Sequence, residues 1–167
     1  MQEVFFTFLF LKLQLLNKGF YKLTDVTPIE ILLVEDNSGD LFLTKRAFSK
    51  AKIANNISVA QDGDAAMDML HKKGVYKNTP RPDIILLDIN LPKKSGQEVL
   101  AEIKADESLK TIPVIILSSS EAQEDIVKSY KLNASGYITK PIDLPQFHDI
   151  VSAVENFWFS IVRLPKE

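Results

Sequence analysis

Residues 31–37 read "ILLVEDN", four apolar side chains running straight into the adjacent carboxylates Glu35 and Asp36. A run that is apolar on consecutive positions is buried on both faces, as in a parallel sheet covered by helices on each side. Two more runs of this kind follow, "IILL" at 84–87 and "VIIL" at 114–117, with weaker β-like stretches "ISVA" at 57–60 and "GYIT" at 136–139. Between them, apolar residues recur at helical spacing over 39–51, 64–73, 96–106, 121–132 and 143–159. In the last of these, Phe147, Ile150, Val151, Val154, Phe157 and Trp158 share one face. Asp64, Ser95 and Asp143 stand where N-caps or first-turn acids belong. Five β/α pairs in strict alternation predict an α/β fold: a doubly wound, five-stranded parallel sheet whose right-handed crossovers place helices on both sides.

The bulk numbers agree. A chain of 167 residues holds one domain with one substantial core. Hydrophobic residues at 46% and charged residues at 25% are the composition of a globular protein. A net charge of −2 argues against a nucleic-acid-binding face, which needs a basic surplus. Zero cysteines exclude a disulfide framework and any thiolate metal site, which suits the cytoplasm. There are no internal repeats and no low-complexity tract. The turn-rich "KKGVYKNTPRP" at 72–82 reads as a surface insertion, and His71 and His148 as surface histidines away from any chemistry.

The opening "MQEVFFTFLFLKLQLL" is different in kind. It lacks the basic start and small-residue cleavage site of a secretory signal. Lys12 and Gln14 interrupt it well short of the ~20 apolar residues of a membrane span. Residues 1–28 are expected as a leader and linker: either poorly ordered and non-native, or an appendage packed on a partner or on the domain. Residues 29–160 form the domain and 161–167 a tail.

In a doubly wound sheet the chemistry lies beyond the carboxyl ends of the strands. Glu35 and Asp36 follow the first run, Asp88, Ile89 and Asn90 the third, Ser118, Ser119 and Ser120 the fourth, and Lys140 and Pro141 the fifth. Each alone has an ordinary reading, since Asp after a strand is a turn or cap residue and "SSS" is a loop. Together they bring three carboxylates, hydroxyls and one lysine to a single rim. Acids so close cannot all ionise cheaply without a cation. Carboxylates and carbonyls suit a hard ion, and Mg²⁺ binds through one or two carboxylates, waters and a phosphate. Lys140 adds a second positive charge for a phosphoryl oxygen. A carboxylate held there is a competent nucleophile toward phosphorus.

At these residues the chain resembles the receiver domain of bacterial two-component response regulators. The resemblance covers 29–160 and rests on the acidic pair, "DINLPKKSG", "VIILSSS" and "GYITKP". Ser118 lies 30 residues after Asp88 and Lys140 another 22 on, and Pro92 and Gly96 stand four and eight after Asp88, all as in that family. It implies a flavodoxin-like sheet of strand order 2-1-3-4-5 and a phosphorelay protein, not an enzyme beyond taking its own phosphoryl group and slowly losing it. Asp88 would accept the phosphoryl group from the phosphohistidine of a sensor histidine kinase. Asp36, Asp88 and the Asn90 carbonyl would ligate Mg²⁺, with Glu35 acting through water. Lys140 would pair first with Asp88 and then with the phosphate. Ser118 would turn to bind a phosphoryl oxygen, with Tyr137 repacking in step. Asn90 and Ser120 would tune phosphoryl lifetime, and the small Ser119 would leave access open. The Lys140–Pro141 bond would be cis. Serine at 118 departs from the commoner threonine, keeping the hydroxyl but not the methyl.

A narrower resemblance rests on "LLVEDNSGDLFLTKRAF", the insertion before "PDIILLDINLP", and the ending "FWFSIVRLP". These are similar to stand-alone receivers paired with phytochrome-type histidine kinases of cyanobacteria. Only 27 residues follow Lys140, so output is expected through a protein surface rather than a DNA-binding domain. A helix cannot bury the consecutive Phe157, Trp158 and Phe159 against one core. An exposed aromatic there is expected to anchor a homodimer through the C-terminal helix face, or a kinase contact; closure of the core is the alternative. Two rivals stand beside the phosphorelay reading. A Mg²⁺-dependent phosphohydrolase would want an acid two residues after its nucleophile, where this chain has Asn90. A receiver-like module that never takes phosphate would not need Asp88, Lys140 and the acidic pair intact.

Overall fold

Alternation along the strands decides the architecture of this computed structural model, which describes residues 28–140, 144–154 and 156–157. Strands β1 (Ile29–Val34), β2 (Asn55–Ala60), β3 (Ile84–Leu87), β4 (Val114–Ser118) and β5 (Gly136–Thr139) form one parallel sheet in the order β2-β1-β3-β4-β5. The register sets Ile31 beside Ile84 and Ile85 beside Val114. Ile31, Leu33, Ile84, Leu86, Ile115 and Leu117 therefore face one side of the sheet, and Leu32, Val34, Ile85, Leu87, Val114 and Ile116 the other.

Each face is covered by helices. Leu41 and Phe48 of α1 (Ser38–Phe48) and Phe147, Val151 and Val154 of α5 (Leu144–Val154) close the first. Met67 and Leu70 of α2 (Gly63–Leu70) and Val99, Leu100 and Ile103 of α3 (Gly96–Ala105) close the second. The remaining helix, α4 (Gln123–Lys131), buries only Ser129. Burying a large aliphatic side chain is worth about 1.5–3 kcal/mol. Two such layers on one sheet are what make consecutive apolar runs necessary.

The elements match the sequence reading with shifts of a few residues. β1 and β2 each begin two residues earlier than their apolar runs. Helix α2 stops at Leu70 rather than 73, because Lys72 and Gly74 both take positive φ, 54° and 55°. Ser95 caps α3 through a capping box with Glu98. Asp64 sits in the first turn of α2, while Asp62 is the residue that caps it. The stretch 72–82 is mostly exposed and holds a short 3₁₀ turn, Gly74–Tyr76, whose Tyr76 packs back on the core.

Of the two alternatives open for Phe157, exposure and closure of the core, the structure has exposure, at 53%. One reading is corrected: His148 is half-buried rather than on the surface, and its enclosed Nε2 has no hydrogen-bond partner among the described residues. The leader 1–27, the cis Lys140–Pro141 bond, Asp143, Trp158, Phe159 and the tail 161–167 lie outside the described residues.

Candidate functional site

Backbone ladders carry the site residues into place. Glu35 N donates to Ala60 O at 3.0 Å, Asp88 N to Val34 O at 3.0 Å, and Lys140 N to Ser118 O at 2.8 Å. Each functional side chain thus stands one step past its strand while its main chain is still held by the neighbouring one. The chain crosses from β1 to the edge strand β2 and returns to β3, so the ends of β1 and β3 flank the point where the winding reverses.

Three carboxylates gather there. Oxygen atoms of Glu35, Asp36 and Asp88 lie within 4.8 Å of one another, with Glu35 and Asp88 buried and Asp36 exposed. All three are hard oxygen donors at the strand ends, with Asp36 on the open side, the donor set of a divalent cation that keeps waters. Lys140 Nζ sits among the acids, 2.6 Å from Asp88 Oδ2 and 2.5 Å from Glu35 Oε2. It also meets Asp40 Oδ2 at 2.8 Å. The lysine side chain is only 7% exposed.

The remaining oxygens are engaged too. Asp88 Oδ1 accepts from Asn90 N at 3.0 Å, and Glu35 Oε1 from Asn37 N at 3.0 Å. Burial pushes the Glu35 carboxyl above the usual carboxylate range, against the pull of its bonds to Lys140 and Asn37. Burial alone would lower the Lys140 ammonium. Its hydrogen bonds to Asp40, Asp88 and Glu35 outweigh that and hold it well above the ordinary lysine value.

Behind the acids lie the hydroxyls. Ser118 is fully buried, and its Oγ accepts from Ser120 N at 3.2 Å. Ser119 is exposed. Tyr137 Oη donates to Ser120 O at 2.8 Å, and Ser120 Oγ donates to Asp125 Oδ2 at 2.6 Å. Gly96 is required by close approach: a Cβ there would sit 1.9 Å from the Asp88 carbonyl oxygen.

A model of the response regulator receiver domain matches residues 31–152. The chain belongs to that family. Response regulator Rcp1 of Synechocystis sp. is 44% identical to this receiver over 138 residues, covering 83% of this chain and 94% of that protein. Among solved structures, the Mn²⁺-bound form of Rcp1 matches with a TM-score of 0.78 at 44% identity, over 83% of this chain and 100% of that one. The phosphorylated cyanobacterial phytochrome response regulator RcpA matches with a TM-score of 0.80 at 46% identity, over 84% of this chain and 100% of that one. Receivers of this family are signalling modules of two-component systems, generally non-catalytic, and their partner is a histidine kinase. No helix among the described residues is long and apolar enough to cross a membrane.

The receiver's rim brings together Glu35, Asp36, Asp88 and Lys140, with Asn90 bonded to Asp88. Ser118, Ser120 and Tyr137 form a connected chain of hydrogen bonds. Two participants were not anticipated. Asp40, one helical turn beyond Asp36, reads in sequence as an ordinary first-turn acid of α1, which it also is. Asp125 joins the Ser120 loop to α3, since its Oδ1 accepts from Gln97 Nε2 at 3.2 Å. The lysines of "LPKK" are ion-paired. Lys93 pairs with Asp62 at 2.6 Å and Lys94 with Glu102 at 2.8 Å.

Proposed function

We propose that this receiver, spanning 29–160, is the phosphoacceptor of a phosphorelay in the cytoplasm, with Asp88 as the residue that takes the phosphoryl group. The observation that carries this reading is Lys140 Nζ at 2.6 Å from Asp88 Oδ2, beside a three-carboxylate cluster. An Asp88 carboxylate oxygen attacks the phosphorus of a kinase phosphohistidine. The P–N bond breaks, the imidazole leaves with its electron pair, and an acyl phosphate forms. Asp36, Asp88 and the Asn90 carbonyl, with Glu35 through water, would hold Mg²⁺, which would supply charge neutralisation of the phosphoryl oxygens when bound. Lys140 donates to one phosphoryl oxygen and Ser118 Oγ to another. Drawing Ser118 forward moves the Ser120 loop, which holds Tyr137 through its carbonyl. Asn90 and Ser120 flank the group and set its lifetime, and exposed Ser119 leaves the approach open.

The likeness to Rcp1 and to the phytochrome response regulator RcpA supports a phytochrome-type kinase as donor. Signalling then runs through protein–protein contacts, including a homodimer through the C-terminal helix face, where the half-exposed Phe157 supports the reading. The phosphohydrolase alternative lacks its second acid, because Asn90 cannot transfer a proton.

Acetyl phosphate with Mg²⁺ tests the chemistry. Intact mass should rise by one phosphoryl group in the wild type and stay unchanged in Asp88→Asn or when EDTA replaces Mg²⁺. A gain that persists in Asp88→Asn moves the acceptor elsewhere and ends this reading. Phosphotransfer from a phytochrome-type kinase, compared with an unrelated one, tests the donor.

A further inference from the structure

An ammonium has three N–H donors, and Lys140 spends all three on carboxylates: Glu35, Asp88 and Asp40. A phosphoryl group arriving on Asp88 needs one of those donors for its own oxygen, so one existing bond must be released. The three partners are not equally held. Glu35 is almost fully enclosed and has its other oxygen fixed by Asn37 N. Asp88 is itself the acceptor. Asp40 is 31% exposed on the first turn of α1, where water and the helix N-terminus can take over its charge. Releasing it costs least.

We infer that Asp40 is a positioning residue acting through Lys140: it parks the ammonium before phosphotransfer and is displaced by the phosphoryl oxygen, so it opposes loading of the site. This rests on Asp88 being the phosphoacceptor. Asp40 is separate from the cluster of Glu35, Asp36 and Asp88 that suits a cation. Its effect should therefore fall on the phosphoryl group and not on metal binding. An Asn at 40 leaves a neutral acceptor, so the bond to the ammonium loses the attraction between opposite charges and yields more readily to a phosphoryl oxygen.

The probe is beryllium trifluoride, a phosphoryl mimic, titrated at saturating Mg²⁺ and followed by ¹⁹F NMR. Asp40→Asn should bind it about fivefold more tightly than wild type. Asp40→Glu, which restores the charge, should return toward wild-type affinity. The Mg²⁺ dissociation constant measured without the mimic should not tighten in either variant. Thermal melts of both variants identify any loss of fold. If the wild type binds the mimic and Asp40→Asn binds it no more tightly, or if Asp40→Glu loosens or tightens it as Asn does, the inference is overturned while the phosphoacceptor reading stands. If wild type fails to take the mimic at all, both fall.

Discussion

Helices α3 and α4 are neighbours on the same side of the sheet, yet they are held by opposite means. Val99, Leu100 and Ile103 of α3 have no measurable exposure, and its N-terminus carries a complete capping box. Helix α4 buries a single serine, has no side-chain cap at Ala122, and leaves Val127 and Tyr130 facing solvent. What fastens it is polar: Asp125, in its first turn, accepts from Ser120 on one side and Gln97 on the other. Apolar burial holds a helix whatever the rim is doing, whereas a hydrogen bond to the Ser120 loop holds only while that loop stays put. The difference makes α3 scaffold and α4 the element coupled to the Ser120 loop, and so the one that would follow the proposed movement of Ser118.

The largest break in that contrast is Leu100→Ala. Truncating a fully buried leucine should cost about 2–5 kcal/mol in denaturant unfolding. Protection of amides in α3 and α4 should then fall together, because the loss is global. Asp125→Ala should cost less, about 1–3 kcal/mol, since it orphans the half-buried Ser120 hydroxyl and the buried Gln97 amide. Its signature is where the loss appears: hydrogen exchange should quicken across 123–131 and stay unchanged at Val99, Leu100 and Ile103. Uniform quickening in both helices would erase the distinction between scaffold and follower.

The same contrast marks what could be read from the sequence. The runs at 31–34, 84–87 and 114–117 announced the sheet because strands buried on both faces have no alternative composition. Glu35, Asp88 and Ser118 were legible from them and Lys140 from the weaker stretch at 136–139, since a residue at a strand end needs only the strand to be found. Asp40 was not. Its bond to Lys140 joins positions 100 residues apart, and locally it satisfies the ordinary demand of a helix start. Asp62 and Asp64 compete for one cap two residues apart, and only the extended backbone at Asp62, with φ −155°, decides between them. For α4 the pattern announced a helix, but its anchor is a polar contact with a loop whose course depends on β4. Phe157 sits in phase with Val154, and periodicity carries no information on where the sheet beneath a helix ends.

The smallest effect concerns the loops that lead into these helices. Ahead of α3, Lys93 Nζ donates to Asp62 Oδ2 at 2.6 Å, while Asp62 Oδ1 caps α2 by accepting from Ala65 N at 2.7 Å. The bond to Lys93, followed by that backbone bond, holds the Asp62 carboxyl below the usual carboxylate range. A carboxyl lowered in the fold stabilises it above the unfolded value of about 3.9 and loses that contribution as pH falls through the folded value. Asp62→Asn keeps a capping oxygen and removes only the charge. Wild type should therefore be more stable than the variant at neutral pH, by less than either change in the helices produces. The gap should narrow as pH drops below about 4. In high salt it should shrink at neutral pH as well, because Lys93 is largely solvated and its charge is screened. A gap that ignores both acid and salt would mean that cap geometry, not the ion pair, ties the β3–α3 loop to α2.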